Sequence, residues 1–304
     1  MIDMSHESSS VKSIFFALLA NLGIAITKTV ASVITGSGAM LAESIHSFAD
    51  CGNQGLLFVG LKRSKKAPNL NHPLGYGKAI FFWSFIVAII LFSMGGLFSI
   101  YEGIHKLSSH EGLSSPLIAI VVLAVSAVME GASLWACITQ INKVKHDKSL
   151  WKWLMTSRQS ELVVVLGEDV AALLGLTFAL ASVGMSMVTG NPIYDAIGSI
   201  GIGALLIVVS MFMAVKISGL LIGQSIDPEV QADITAFLNK REEIEFVINV
   251  ITIQLGAQIM VAVKAKMNNP ETIDQLIENI NRCEAALKRH NPSVQWVFFE
   301  PDVR

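Results

Sequence analysis

The chain has 304 residues, of which 52% are hydrophobic and 15% charged, and its mean hydropathy is +0.57. Soluble domains carry about 25% charged residues, so a single soluble globule is excluded, and the long apolar blocks exclude a disordered chain. The net charge of −2 lacks the basic excess of a nucleic-acid binder, and the three scattered cysteines, with no C-x-x-C, indicate neither a disulfide framework nor a thiolate zinc site.

A hydrocarbon core about 30 Å thick takes roughly 20 apolar helical residues. Six stretches qualify, from Val11 to Ile34, Ala39 to Leu61, Ala79 to Ile104, Pro116 to Ile141, Leu162 to Val188 and Tyr194 to Ile217. The first follows a short polar head, Met1 to Ser10. Its length, and its interruption by Asn21 and Lys28, predict a retained helix rather than a signal peptide. The loop after the second stretch carries Lys62, Arg63, Lys65, Lys66 and Lys78 with no acid. The loop after the fourth carries Lys143, Lys145, Lys148, Lys152 and Arg158 against Asp147 alone, while the alternate loops are nearly free of basic residues. The positive-inside rule therefore predicts that both basic loops, and with them both termini, are cytoplasmic.

Beyond the sixth stretch the charge density becomes that of a soluble domain. Asp227-Pro228 reads as a cap with proline in the first helical turn. Phe246 to Leu255 reads as a strand. Gln258 to Met267 alternates Ile259, Val261, Val263 and Ala265 with Lys264 and Lys266, also a strand period. Asn269-Pro270-Glu271 is expected to cap a helix running to about His290, and Val294 to Phe299 to form a third strand. The fold expected is an all-α six-helix transmembrane domain, residues 1–217, followed by a small α+β (αββαβ) cytoplasmic domain, residues 218–304 with its linker.

Carboxylates at bilayer depth are expensive unless they face a cavity, a partner or an ion. The second stretch holds Glu43, His46 and Asp50, spaced i, i+3, i+7 and so on one helix face. The fifth holds Glu168-Asp169, whose directions differ by about 100°, so only one of them is expected to point fully inward. The fourth holds Glu130. If the second and fifth stretches pack together, one imidazole and two or three carboxylates converge. Such a set suits zinc, which takes nitrogen and oxygen ligands, and would accept manganese, iron(II) or cobalt. Pairing of these acids with Lys28, or with each other, is the competing structural role. Lys28 itself faces either this region or, snorkelling, the membrane interface.

Taken together, the chain resembles the cation diffusion facilitator family over nearly its whole length. Glu43-Ser-Ile-His46-Ser-Phe-Ala-Asp50 resembles the family's first metal-binding H-x-x-x-D. His72-Pro-Leu-Gly-Tyr-Gly77-Lys78 resembles its H-P-[FY]-G-[HY]-G-[KR] loop, and Asp195 fits the opening of its sixth span. The resemblance implies export of a divalent cation, usually zinc, in exchange for protons, with no cofactor and no enzymatic reaction. It also implies a homodimer to which the cytoplasmic domains contribute. The metal ligands it implies are His46, Asp50 and Asp169, with the fourth place open to Glu168, Glu43 or a water.

There are departures from the family pattern. In the second H-x-x-x-D, Asp169 matches the acid while Val165 stands at the histidine. The Glu168-Asp169 pair is similar to the branch that includes zinc transporter 9. One histidine with three carboxylates makes a harder site than two of each. Tyr76 replaces a second loop histidine, so the loop is expected to be a structural turn. Lys264 stands where metal-binding members place a cytoplasmic histidine and Glu300 is the one matching acid, so no metal pair is expected in that domain. His290 needs no role beyond favouring a helix C-terminus. Transport of manganese, iron or cobalt, and a passive channel, are the alternatives kept. An intramembrane hydrolase lacks H-E-x-x-H and any paired nucleophile. A bacterial cytoplasmic membrane is the expected location.

Overall fold

The computed structural model describes residues 21–109, 114–145, 147–268 and 271–303. These contain helices α1 (Asn21–Thr35), α2 (Gly38–Ser64), α3 (Ala79–Ile90), α4 (Phe98–Ser109), α5 (Pro116–Val144), α6 (Leu150–Thr156), α7 (Ser160–Thr189), α8 (Ile193–Ile222), α9 (Pro228–Asn239) and α10 (Ile273–His290). The strands are β1 (Ile244–Leu255), β2 (Gln258–Met267) and β3 (Val294–Pro301).

Four helical segments among the described residues are long and apolar enough to cross a membrane: Ala79–Ser108, Pro116–Val144, Ser160–Thr189 and Ile193–Ile222. The other two expected spans do not meet that measure, for different reasons. The stretch from Val11 to Ala20 lies outside the described residues, which leaves α1 short. In α2, which is 27 residues long, Glu43, His46, Asp50 and the basic tail at Lys62 and Arg63 dilute the apolar run.

The chain divides into two compact units. The first takes its residues from Met1–Val59, Trp83–His146 and Glu161–Val215. Its α1–α2 turn passes through Gly36 at φ 67°. There the buried Asp195 of α8 accepts hydrogen bonds from Ser37 Oγ at 2.6 Å, Gly38 N at 2.7 Å and Ala39 N at 3.4 Å. A carboxylate in this place satisfies N–H groups that have no partner within the helix and faces the positive end of its dipole. Lys106 Nζ of α4 pairs with the same carboxylate at 3.2 Å. Between α3 and α4 the helix widens into a π-helical turn, Leu91–Leu97. It lies close against α8, where a Cβ on Gly203 would come within 2.7 Å of the Gly96 carbonyl oxygen. The small residues here let two backbones approach closely.

The second unit takes Gly60–Phe82, Asp147–Ser160 and Lys216–Arg304. Its element order from α9 onward is α-β-β-α-β, as the hydropathy pattern predicts. The sheet order is β1-β2-β3, antiparallel between β1 and β2 and parallel between β2 and β3. Ile259, Val261, Val263 and Ala265 turn one face of β2 into a core with Ile234 and Leu238 of α9 and Cys283 and Leu287 of α10. The helix expected to be capped at Asn269 is capped instead by Thr272, whose side chain accepts from Gln275 N. The Thr272 hydroxyl sits where α10 leaves extended backbone, the usual geometry of an N-cap. Asn269 and Pro270 lie outside the described residues.

Asp227 caps α9 as its Asp-Pro signature predicts, accepting from Glu229 N at 3.0 Å. It also pairs with Lys148 Nζ at 2.5 Å. Burial pushes the Asp227 carboxyl up, but the Lys148 and Glu229 N–H hydrogen bonds and the charges of Lys148 and Arg158 outweigh it and hold the group below its ordinary value. A depressed carboxyl stabilises the fold fully above its unfolded pKa, about 4, and that contribution is lost as pH falls through the lower folded value. Asp227→Asn keeps the cap but loses the charge. Thermal unfolding of the full chain in detergent is therefore expected to show a smaller loss of stability below about pH 4 in Asp227→Asn than in the native chain. Equal acid sensitivity of the two would refute the assignment.

Candidate metal site

The first unit gathers ionisable side chains where α1, α2, α5 and α7 meet. On α2, Glu43 and His46 are fully buried and Asp50 nearly so, which confirms the shared face their spacing predicts. His46 Nε2 lies 3.5 Å from Asp50 Oδ2, an ion-pair distance at which no hydrogen bond is made. Both imidazole nitrogens and Asp50 Oδ1 are buried without a hydrogen-bond partner. A Cβ on Gly95, in the π-helical turn, would lie 4.0 Å from His46 Nδ1. The widened turn therefore borders the imidazole, and such turns recur at functional sites.

Glu43 is held differently. Lys28, fully buried in α1, donates from Nζ to Glu43 Oε2 at 3.2 Å and to Ser47 Oγ at 2.8 Å. The pair is a helix-to-helix tie, the structural role the sequence left open, and Lys28 does not snorkel. Room for the Glu43 carboxylate comes from Gly175, since a Cβ there would strike Oε1.

The expectation that only one of Glu168 and Asp169 points inward is wrong. Both are buried, because each turns toward a different neighbour. Asn53 Nδ2 of α2 donates to Glu168 Oε1 at 2.6 Å, and Ser133 Oγ of α5 donates to Asp169 Oδ1 at 3.1 Å. Two residues about 100° apart on α7 thus serve two packed helices. Asp169 Oδ2 stays without a partner.

These groups surround a cavity of about 50 Å³. Asp50, Glu130, Glu168 and Asp169 supply carboxylates to its wall, and Asn21, Ser47, Gln54 and Ser133 supply neutral polar groups. Val165 gives it an apolar patch. His46 is not on this wall, and among the described residues no three His, Cys, Asp or Glu side chains are gathered tightly enough to hold a metal ion. The structure thus brings Asp50, Glu168 and Asp169 to one cavity, with His46 one helical turn behind Asp50. Asn53 and Ser133 carry no charge and were missed by the sequence reading. Asn53 does continue the 46, 50 spacing by one further turn, whereas Ser133 gives no signal beyond lying three residues after Glu130.

Comparison with known proteins identifies the family. Residues 14–222 match the family model of the cation efflux transmembrane domain. The chain is 33% identical, over 90% of its length, to a Xenopus laevis protein named proton-coupled zinc antiporter SLC30A9, mitochondrial, and covers 56% of that relative. It is 34% identical to metal tolerance protein C4 of Arabidopsis thaliana over 77% of its length, covering 51% of that protein. The chain thus spans about half the length of these two relatives. It is also 25% identical to the manganese efflux system protein MneP of Bacillus subtilis, over 96% of this chain and 95% of that one. The chain belongs to the cation diffusion facilitator family, in the zinc transporter 9-like branch.

For a cation diffusion facilitator, this chain's departures have visible structural uses. Val165, at the family's second histidine position, lines the cavity. His72 stacks on Tyr76 with ring centroids 4.2 Å apart, and Asn69 Nδ2 donates to Tyr76 Oη at 2.8 Å, so the His72–Lys78 loop is the structural turn expected. Lys264 pairs with Asp302 at 2.6 Å and Glu300 at 3.3 Å, and those carboxylates hold its ammonium pKa above the ordinary value. His290 does more than sit at a helix end. It stacks on Phe237 at 4.1 Å, and its Nε2 lies 2.7 Å from Asp233 Oδ2, tying α10 to α9.

Proposed function

We propose that this protein exports a divalent cation, zinc foremost, across a membrane by exchange with protons. In this reading α1 and α2 complete a six-helix transmembrane domain, residues 1–217, with a cytoplasmic domain at 218–304. Both termini lie on the side of the basic loops, in a bacterial cytoplasmic membrane, and the chain works as a homodimer. The observation that carries the reading is the set of buried, partnerless ligand atoms on His46, Asp50 and Asp169 around or beside one cavity. Unpaired polar atoms in a membrane interior are costly, so they are there for an occupant. His46 and Asp50 already stand close enough for one ion to sit between them. Asp169 supplies a third ligand, and Glu168, on its Asn53 tether, the fourth.

Metal needs the deprotonated forms of these groups. A free imidazole titrates near about 6.5 and a carboxylate near about 4, so protons and metal compete for the same lone pairs and binding the ion releases protons. Protons arriving from the far side displace the ion, and relative movement of the helices alternates access. The names of the Xenopus and Arabidopsis relatives support this reading. Manganese as the cargo is the second reading, favoured by the oxygen-rich cavity wall and by the name of the Bacillus relative.

The test is zinc uptake by proteoliposomes with and without an imposed proton gradient. Flux is expected to rise several-fold when protons run opposite to the metal. Equal flux with and without the gradient would indicate a channel, and manganese flux without zinc flux would change the cargo.

A further inference from the structure

The cavity contains one carboxylate that no part of this reading uses. Glu130 of α5 is on the cavity wall with Asp50, Glu168 and Asp169, yet it lies on a different helix from both metal motifs. It makes no hydrogen bond or ion pair to any described residue, whereas Glu43 is neutralised by Lys28 and Glu168 is tethered by Asn53. An acidic cluster alone would carry little weight. Here Asp169, only 8% exposed, is on the same wall and keeps Oδ2 free of any partner. The neutral polar groups around it, among them Ser133 and Gln54, can donate or accept, and among the described residues the wall contains no imidazole or thiol. His46 stands behind the wall. The space is therefore chemically different from a site that includes His46: it offers oxygen, and room.

We propose that Glu130, together with Asp169, forms an oxygen-only waiting position for a divalent cation, from which the ion passes to the position that includes His46, Asp169 serving both. Oxygen ligands without nitrogen or sulfur suit harder ions such as manganese(II) over zinc. A cavity of about 50 Å³ exceeds the roughly 10–15 Å³ that admits one water, so it has room for an ion that keeps part of its hydration. The ion keeps part of its hydration there, held by Glu130 on one side and Asp169 on the other, before it moves to His46. Glu130 thus governs how well harder ions are admitted, and His46 how strongly zinc is preferred. The proposal rests on the transport reading and adds a residue and a selectivity to it.

The experiment measures manganese(II) and zinc binding by the full chain in detergent, for the native protein, Glu130→Gln, Glu130→Asp and His46→Ala. Glu130→Gln keeps volume and removes charge. It is expected to raise the manganese Kd about 10-fold, in the range for loss of a supporting group at a metal site, and the zinc Kd much less. Glu130→Asp is expected to retain most manganese binding, and His46→Ala to show the opposite selectivity, losing zinc more than manganese. An unchanged manganese Kd in Glu130→Gln overturns the proposal, as does equal weakening of both metals, which is what a structural role would give. A native chain that binds neither metal overturns both the waiting position and the transport reading. Native binding and flux with an indifferent Glu130→Gln overturns the waiting position alone.

Discussion

Asp50→Ala is expected to lower zinc flux in proteoliposomes at least about 100-fold, the upper end of what loss of an outer-shell group alone costs at a metal site. Three observations combine in this one residue. Asp50 stands 3.5 Å from His46 Nε2, it is on the cavity wall, and its Oδ1 has no competing partner. Removing it takes a ligand from the His46 position and a wall group from the cavity at once. Asp50→Asn is the sharper control because it keeps the shape and removes only the charge. It is expected to fail nearly as badly while remaining folded. Flux that survives both substitutions would mean that the ion passes elsewhere and that the unpaired atoms on α2 have another explanation.

Lys28→Met is expected to destabilise the helical unit by about 3–5 kcal/mol, the usual consequence of removing one partner from a buried ion pair. Lys28 and Glu43 are both fully buried, so the substitution leaves an uncompensated carboxylate with one oxygen, Oε1, already lacking a hydrogen bond. The double substitution Lys28→Met with Glu43→Leu removes both charges and should recover most of the loss, since buried pairs replaced whole by apolar groups are often neutral or better. Thermal unfolding in detergent measures both. A double variant as unstable as the single one would show that the two groups do not act as a pair. Zinc flux in the double variant then separates stability from transport. Glu43 is not on the cavity wall, so a folded double variant is expected to keep substantial flux.

The sequence was most readable where one physical period dominates. The alternation of Ile259, Val261, Val263 and Ala265 gave β2 its bounds because one face of the strand is buried in the core of its unit. The spacing of Glu43, His46 and Asp50 gave their common face for the same kind of reason. Asp227-Pro228 was readable because capping is local chemistry. What was not readable depends on which side chain meets which across helices. Nothing in the neighbourhood of Glu168-Asp169 says that Asn53 and Ser133 will take one carboxylate each. A lysine at position 28 reads equally well as a snorkelling residue or a buried tie until α1 is packed on α2. The π-helical turn at Leu91–Leu97 is invisible to hydropathy, because it changes the hydrogen-bond register without changing polarity. The Thr272 cap was not anticipated; its hydroxyl accepts from Gln275 N at the start of α10.

The hydrogen bonds converging on Asp195 give the helical unit a fulcrum. One carboxylate fastens the first residues of α2, the tip of α4 through Lys106 and its own helix. At about 1.5 Å of rise per residue, Asp50 lies roughly 18 Å along α2 from Gly38. A tilt of about 5° pivoting there would carry the Asp50 carboxylate roughly 1.5 Å, most of the length of a metal–oxygen bond of about 2.0–2.2 Å. In the transport reading, α2 held fast at one end would serve as a lever arm, and a small rotation of it would suffice to release an ion.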